Sequence, residues 1–165
     1  MLNSFEYFGT MVNTDNSIEE EIKERITAGN RNYHVHKKKL FSSKLISRNI
    51  KLQLYNKLIH PAITYTTETW VLKENMTNKL MIFERKIMRK IFGPTRTGDG
   101  YWRIKTNQEI NDILKGQNII WFIKKQRLNL LGHVERMSED NIVQKIKRWK
   151  LVSKRPMEDL NTLGR

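Results

Sequence analysis

One stretch limits what this chain can become more than any other. Residues 76–93, MTNKLMIFERKIMRKIFG, set Leu80, Phe83, Ile87 and Ile91 at the three- and four-residue spacings that share one face of an α-helix. Arg85, Lys86, Arg89 and Lys90 fall on the other face, and Gly93 followed by Pro94 is a strong stop. Such a helix has to bury its apolar stripe against other elements while it turns a row of cations outward. A chain built around it is a packed helical protein with a basic exterior.

The same pattern recurs on both sides. Ser17 with Glu20 fits a capping box, and Glu19, Glu20 and Glu21 suit the positive end of a helix dipole. Ile18, Ile22, Ile26 and Tyr33 continue as an apolar stripe, with a bend expected near Gly29 and Asn30. Ser47 caps a second helix whose apolar face is Leu54, Tyr55, Leu58 and Ile59, and Pro61 ends it or opens the next. Thr106 with Glu109 gives another capping box. Helices are then predicted from about 118 to 131 and from 138 to about 149. FEYFGTMV, residues 5–12, is aromatic, broken by Gly9, and reads as a strand or hairpin. The expected fold is mainly α, a helical bundle with a short N-terminal β-strand or hairpin. Its expected parts are a β element (1–16), a helical domain (17–93), a turn-rich hinge (94–105), a basic helical segment (106–155) and a frayed tail (156–165).

The formal net charge is +14. Residues 1–22 hold five acids and no base, whereas residues 23–80 hold twelve bases against three acids. Positive charge therefore lies on three separate helical stretches. Such a field attracts polyanions, of which nucleic acid is the commonest for a basic domain. A solvated basic surface without one ligand is the alternative. The absence of cysteine removes disulfides, thiolate catalysis and cysteine-based zinc sites. No apolar run approaches the roughly 18 residues of a membrane span, and the N-terminus has no secretory pattern. An intracellular, nuclear or cytoplasmic, location is expected, with no membrane partner.

Catalytic patterns are sparse. His34 and His36 point in different directions on a helix and have no ligand partner at helical spacing. His60, before Pro61, suits packing at a helix end. His133 lies beside Glu135, but residues two apart do not face each other on a helix. The carboxylates form no metal-binding pattern, and Asp99 in TGDG reads as a turn residue. No active site, metal site or cofactor is expected. Basic residues interleave with aromatic ones at Trp102-Arg103, at Trp121-Lys124-Lys125 and at Arg148-Trp149-Lys150. Trp121 and Trp149 sit on apolar stripes and are expected in the core.

Taken in order, five segments resemble the C-terminal part of a non-LTR (LINE-type) retrotransposon reverse transcriptase. FEYFG, from Phe5, resembles the FxYLG element that follows the palm of those enzymes. EEEIKERITAGNRNY resembles their first thumb helix, and KLQLYNKLIHPAITYTTETWVL resembles LYxxLVxPxLxYGxETW. FERKIMRKIFG is similar to FERRxLRxIxG, and QRLNLLGHVERM to xRLRWLGHVxRM. The likeness runs through residues 5–156 in unbroken order. The family's Tyr-x-Asp-Asp carboxylates belong to a palm upstream of these motifs. Two departures stand out: Thr66 or Thr67 replaces the usual glycine, which strains a close-packed turn, and Pro156 passes directly into MEDL where members continue through a basic GRPxxRW stretch.

The resemblance implies a thumb-and-connection module, inert alone, that holds an RNA–DNA hybrid or duplex without sequence preference. It implies a primer-grip role for Phe5, Tyr7 and Gly9, a structural or nucleic-acid-proximal place for His133, and a palm domain as packing partner. Charge placement nominates Lys37, Lys38, Lys39, Arg85, Arg89, Lys124, Lys125 and Arg127 for phosphate contact. The competing expectations are a helical protein-interaction module and a relic of a transposable element without selected function.

Overall fold

The computed structural model describes residues 18–149, together with the backbone of residues 4–7 and 10–13. It is mainly α. Strands β1 (Ser4–Tyr7) and β2 (Thr10–Asn13) pair antiparallel, with Phe5 opposite Val12 and Tyr7 opposite Thr10. The chain divides into two compact units, Met1–Leu128 and Asn129–Arg165.

In the first unit, helix α1 (Glu19–His36) starts with three glutamates in its first turn. Ser17, the expected cap, lies outside the described residues. Glu21 is buried and accepts a 2.6 Å bond from Arg25 Nε, one turn on. Helix α1 runs uninterrupted through Gly29 and Asn30, where a bend was expected, to His36. A Cβ on Gly29 would lie 2.6 Å from Ile63 Cγ1 and 2.9 Å from Phe83 Cζ, so this glycine serves a close helix crossing. A wider π-helical turn, Lys37–Phe41, follows and folds Phe41 under Tyr33, ring centroids 5.7 Å apart.

Helix α2 (Arg48–Leu54) has the expected cap, Ser47 Oγ accepting from the Ile50 N–H. A second π turn, Tyr55–Ile59, joins it to α3 (His60–Thr64), with Pro61 in the first turn. Proline has no N–H to give and its ring crowds the carbonyl four residues back. The His60 N–H accordingly reaches Tyr55 O, and the helix passes the proline by widening. Thr66 then takes a left-handed conformation, φ 60°, before the 3₁₀ turn Thr67–Thr69 and the buried Trp70.

Helix α4 (Glu74–Phe92) is the central element. Leu80, Phe83, Ile87 and Ile91 are buried as the periodicity requires, with Met76 and Met88 beside them. Gly93, at φ 67°, ends the helix by donating to Arg89 O. The residues read as a turn-rich hinge form a second hairpin, β3 (Thr95–Arg96) with β4 (Trp102–Arg103). Helix α5 (Asn107–Ile113) opens on the complete Thr106–Glu109 capping box, a feature worth about 1 kcal/mol. Tyr55, Ile59, Ile63, Ile110, Ile119 and Ile123 complete a core around α4.

Helix α6 spans Ile119–Glu135, beyond the expected end near residue 131. The second unit holds its last residues and α7 (Ile142–Arg148). Helix α7 begins later than residue 138 because Ser138 to Asn141 form a turn and Asn141 Oδ1 caps the Val143 N–H at 2.9 Å. Gln144 is buried and donates to Val134 O; Lys147 pairs with Glu135, and Arg148 with Glu139 at 2.8 Å. Among the described residues of this unit Gln144 is the buried side chain, and the links within it are polar pairs. No helix among the described residues is long and apolar enough to cross a membrane.

Candidate nucleic-acid interface

Lys37, Lys38 and Lys39 occupy the π turn after α1, and all three are exposed. Just before that turn α1 meets α4: Lys90 Nζ lies 5.3 Å from the centroid of the Tyr33 ring, one helical turn before Lys37. The C-terminal ends of α1 and α4 thus present their cations side by side.

Arg85 and Arg89 are half-buried on α4. Arg85 lines a cleft of about 310 Å³ with Asn107, Gln108, Asn111 and Asn118. Arg89 is already committed, its Nε donating to Lys105 O at 3.0 Å and its Nη2 to Asn107 Oδ1 at 2.7 Å. It fixes the link between β4 and α5. Its charge remains at the surface while its donors on that side are spent.

Lys124, Lys125 and Arg127 are exposed on α6, where Ile119, Ile120 and Ile123 face inward. Trp121, expected in the core, is 43% exposed, with Lys125 Nζ 5.1 Å from its ring centroid. The helix buries its isoleucine face, and Trp121 falls off that stripe. Trp149 is exposed as well, because the short α7 offers it no apolar wall. Phe5 and Tyr7 fall in β1; Gly9 lies outside the described residues.

The α6 cations depend on a residue that the charge pattern did not single out. Glu84 is buried on α4, between Leu80 and Met88 in the apolar stripe. Its carboxylate accepts the Ile119 N–H at 3.1 Å and the Tyr55 hydroxyl at 3.1 Å, anchoring the first turn of α6. Burial pushes Glu84 up to about 7, while the bonds from Ile119 and Tyr55 and the charge of Arg85 pull it down. A carboxylate one turn from two core residues was the available sequence signal. His60 packs, as expected, edge-on against Phe122 with centroids 4.6 Å apart, and burial lowers it to about 4. His34 and His133 are exposed. Among the described residues no three His, Asp or Glu side chains converge as metal ligands.

The hairpin adds aromatic surface. Tyr101, Trp102 and Ile104 are 76%, 68% and 75% exposed. On the other side Arg103 holds Glu109 through both terminal nitrogens, at 2.8 and 3.0 Å. That pairing, with the Thr106 N–H, brings the Glu109 carboxyl down to about 2.

Among curated proteins the chain is similar to a putative uncharacterized transposon-derived protein of Caenorhabditis elegans, 24% identical over 144 residues. The alignment takes in 87% of this chain and 50% of that protein, so the chain spans half the length of the relative. No family model and no solved structure matches. The likeness is to a transposable-element product, and it supports a transposable-element origin.

Proposed function

We propose that these residues are the thumb and connection of a non-LTR retrotransposon reverse transcriptase, a module that grips primer–template through its phosphates. The observation that carries the reading is the set of exposed cations, Lys124, Lys125 and Arg127, on a helix whose first turn is locked to the core by Glu84. Rigidly held cations on one helix bind backbone phosphates without reading sequence. The ordered family-like motifs and the transposon-derived relative support it. In this reading the polymerising carboxylates belong to a palm, and these residues alone catalyse nothing. A primer-extension assay on the chain with magnesium and nucleotides is expected to stay blank; extended primer would overturn this half of the reading.

A second reading is protein docking. It draws on the second unit, where Leu130, Leu131, Ile142 and Ile146 are exposed among the described residues. It predicts partner binding with little salt-dependent affinity for nucleic acid.

A further inference from the structure

Lys86, Lys90, Gly93, Pro94 and Ile104 line a groove of about 360 Å³ between the C-terminal half of α4 and the chain leaving β4. The hairpin register pairs Arg96 with Trp102, which places these two on one face, opposite to that of Thr95 and Arg103. Arg103 is engaged with Glu109 on its own side. Trp102 stands in solvent, with Tyr101 before it and Ile104 leading into the groove. Among the described residues no carboxylate lies within ion-pair distance of Lys86, Lys90 or Arg96. The one acid on the hairpin is Asp99, at its exposed turn. The C-terminal carbonyls of α4 oppose an anion with about half an elementary charge. The full charges of Lys86 and Lys90 outweigh that.

We propose that this groove and the hairpin face hold an unpaired nucleic-acid strand, with Trp102 stacking on a base and Lys86, Lys90 and Arg96 meeting the flanking phosphates. The proposal deepens the nucleic-acid reading and rests on it. A duplex buries the flat faces of its bases and offers nothing for Trp102 to stack on, whereas a single strand offers one at every nucleotide. Arg96, across the strand pair from Trp102, and the exposed lysines of the groove offer charges for the phosphates that accompany each base. Arg89 is a positioning residue here, since its bonds to Lys105 O and Asn107 Oδ1 hold the β4–α5 link against α4.

The test compares the full chain, Trp102→Ala, Trp102→Phe and the triple variant Lys124→Gln, Lys125→Gln, Arg127→Gln. The probes are a labelled oligothymidylate of about 15 nucleotides and a DNA duplex of the same length. Trp102→Ala is expected to weaken oligothymidylate binding roughly 5- to 150-fold, with duplex affinity and its salt slope unchanged. Trp102→Phe is expected to recover most of the loss. Native oligothymidylate affinity in Trp102→Ala, alongside weakened duplex binding in the triple variant, overturns the strand site and leaves the phosphate reading standing. Failure of the full chain to bind either probe overturns both. Preference for polyglutamate over oligothymidylate, lost in Trp102→Ala, overturns the strand site in favour of an acidic protein partner.

Discussion

Tyr55 donates its hydroxyl to the Glu84 carboxylate across 3.1 Å of protein interior, and the ring of His60 stands edge-on to Tyr55 at 6.0 Å. Two buried ionisable groups thus flank one tyrosine, and burial moves them in opposite directions, Glu84 up to about 7 and His60 down to about 4. The fold favours protonated Glu84, so its contribution is full below about 4.5 and is lost as pH rises through about 7. The fold favours neutral His60, so its contribution is full above about 6.5 and is lost as pH falls towards about 4. Each shift corresponds to about 3 kcal/mol. The slopes oppose one another over the shared window, and the native chain is expected to hold nearly constant stability there. Glu109 acts only below it.

Single substitutions should unmask each slope. Denaturant titrations of Glu84→Gln should show stability rising by about 3 kcal/mol from pH 4 to 6.5 and then levelling. The same titrations of His60→Phe should show stability falling as pH climbs from 4.5 to 7. A Glu84→Gln variant with a flat profile would contradict the account of His60.

Gly29 is where α1 comes closest to its neighbours. Gly29→Ala would press a methyl group into Ile63 and Phe83, both almost fully buried and with little room to yield. A loss of about 1–3 kcal/mol is expected in chemical denaturation, despite alanine's higher helix propensity. A gain in stability would show that the crossing is looser than the structure describes.

Thr66 holds φ 60°, a conformation that costs a β-branched residue about 1–2 kcal/mol. Thr66→Gly removes that strain and restores the glycine found in the motif this segment resembles. The Thr66 hydroxyl donates to the adjacent Tyr65 carbonyl, and the Thr69 hydroxyl reaches the Thr66 carbonyl, which glycine keeps. The denaturation midpoint is expected to rise, by about 1 kcal/mol in stability. A fall would mean that the threonine side chain stabilises the turn by more than its backbone strains it.

The helices were legible in the sequence because burial imposes its period directly on residue choice: Leu80, Phe83, Ile87 and Ile91 are all inside. The Ser47 cap and the Thr106–Glu109 box were equally legible, being local bonds between residues three apart. The strain at the threonine pair was visible too, though only beside a motif carrying glycine. The π turns were not, since they arise where a helix must accommodate Pro61 or fold Phe41 under Tyr33. Nor was the β3–β4 hairpin, whose two-residue strands are too short for alternation to register. The candidate interface divides in the same way. The exposure of Lys124, Lys125 and Arg127 follows from the α6 pattern, but the exposure of Trp121 depends on which of two faces the core selects. The tie from Arg89 to Asn107 spans 18 residues and left no local trace.

On the proposed reading, the α6 cations hold phosphate backbone. The most direct measurement is equilibrium binding of the native chain and of the Lys124→Gln, Lys125→Gln, Arg127→Gln variant to an RNA–DNA hybrid and a matched DNA duplex. Salt should run from roughly 50 to 200 mM. The account predicts that log affinity falls steeply and linearly with log salt, and that the triple variant binds more weakly with a slope shallower by about 2–3. Affinity that is weak and indifferent to salt, or a triple variant with native affinity and slope, would contradict it.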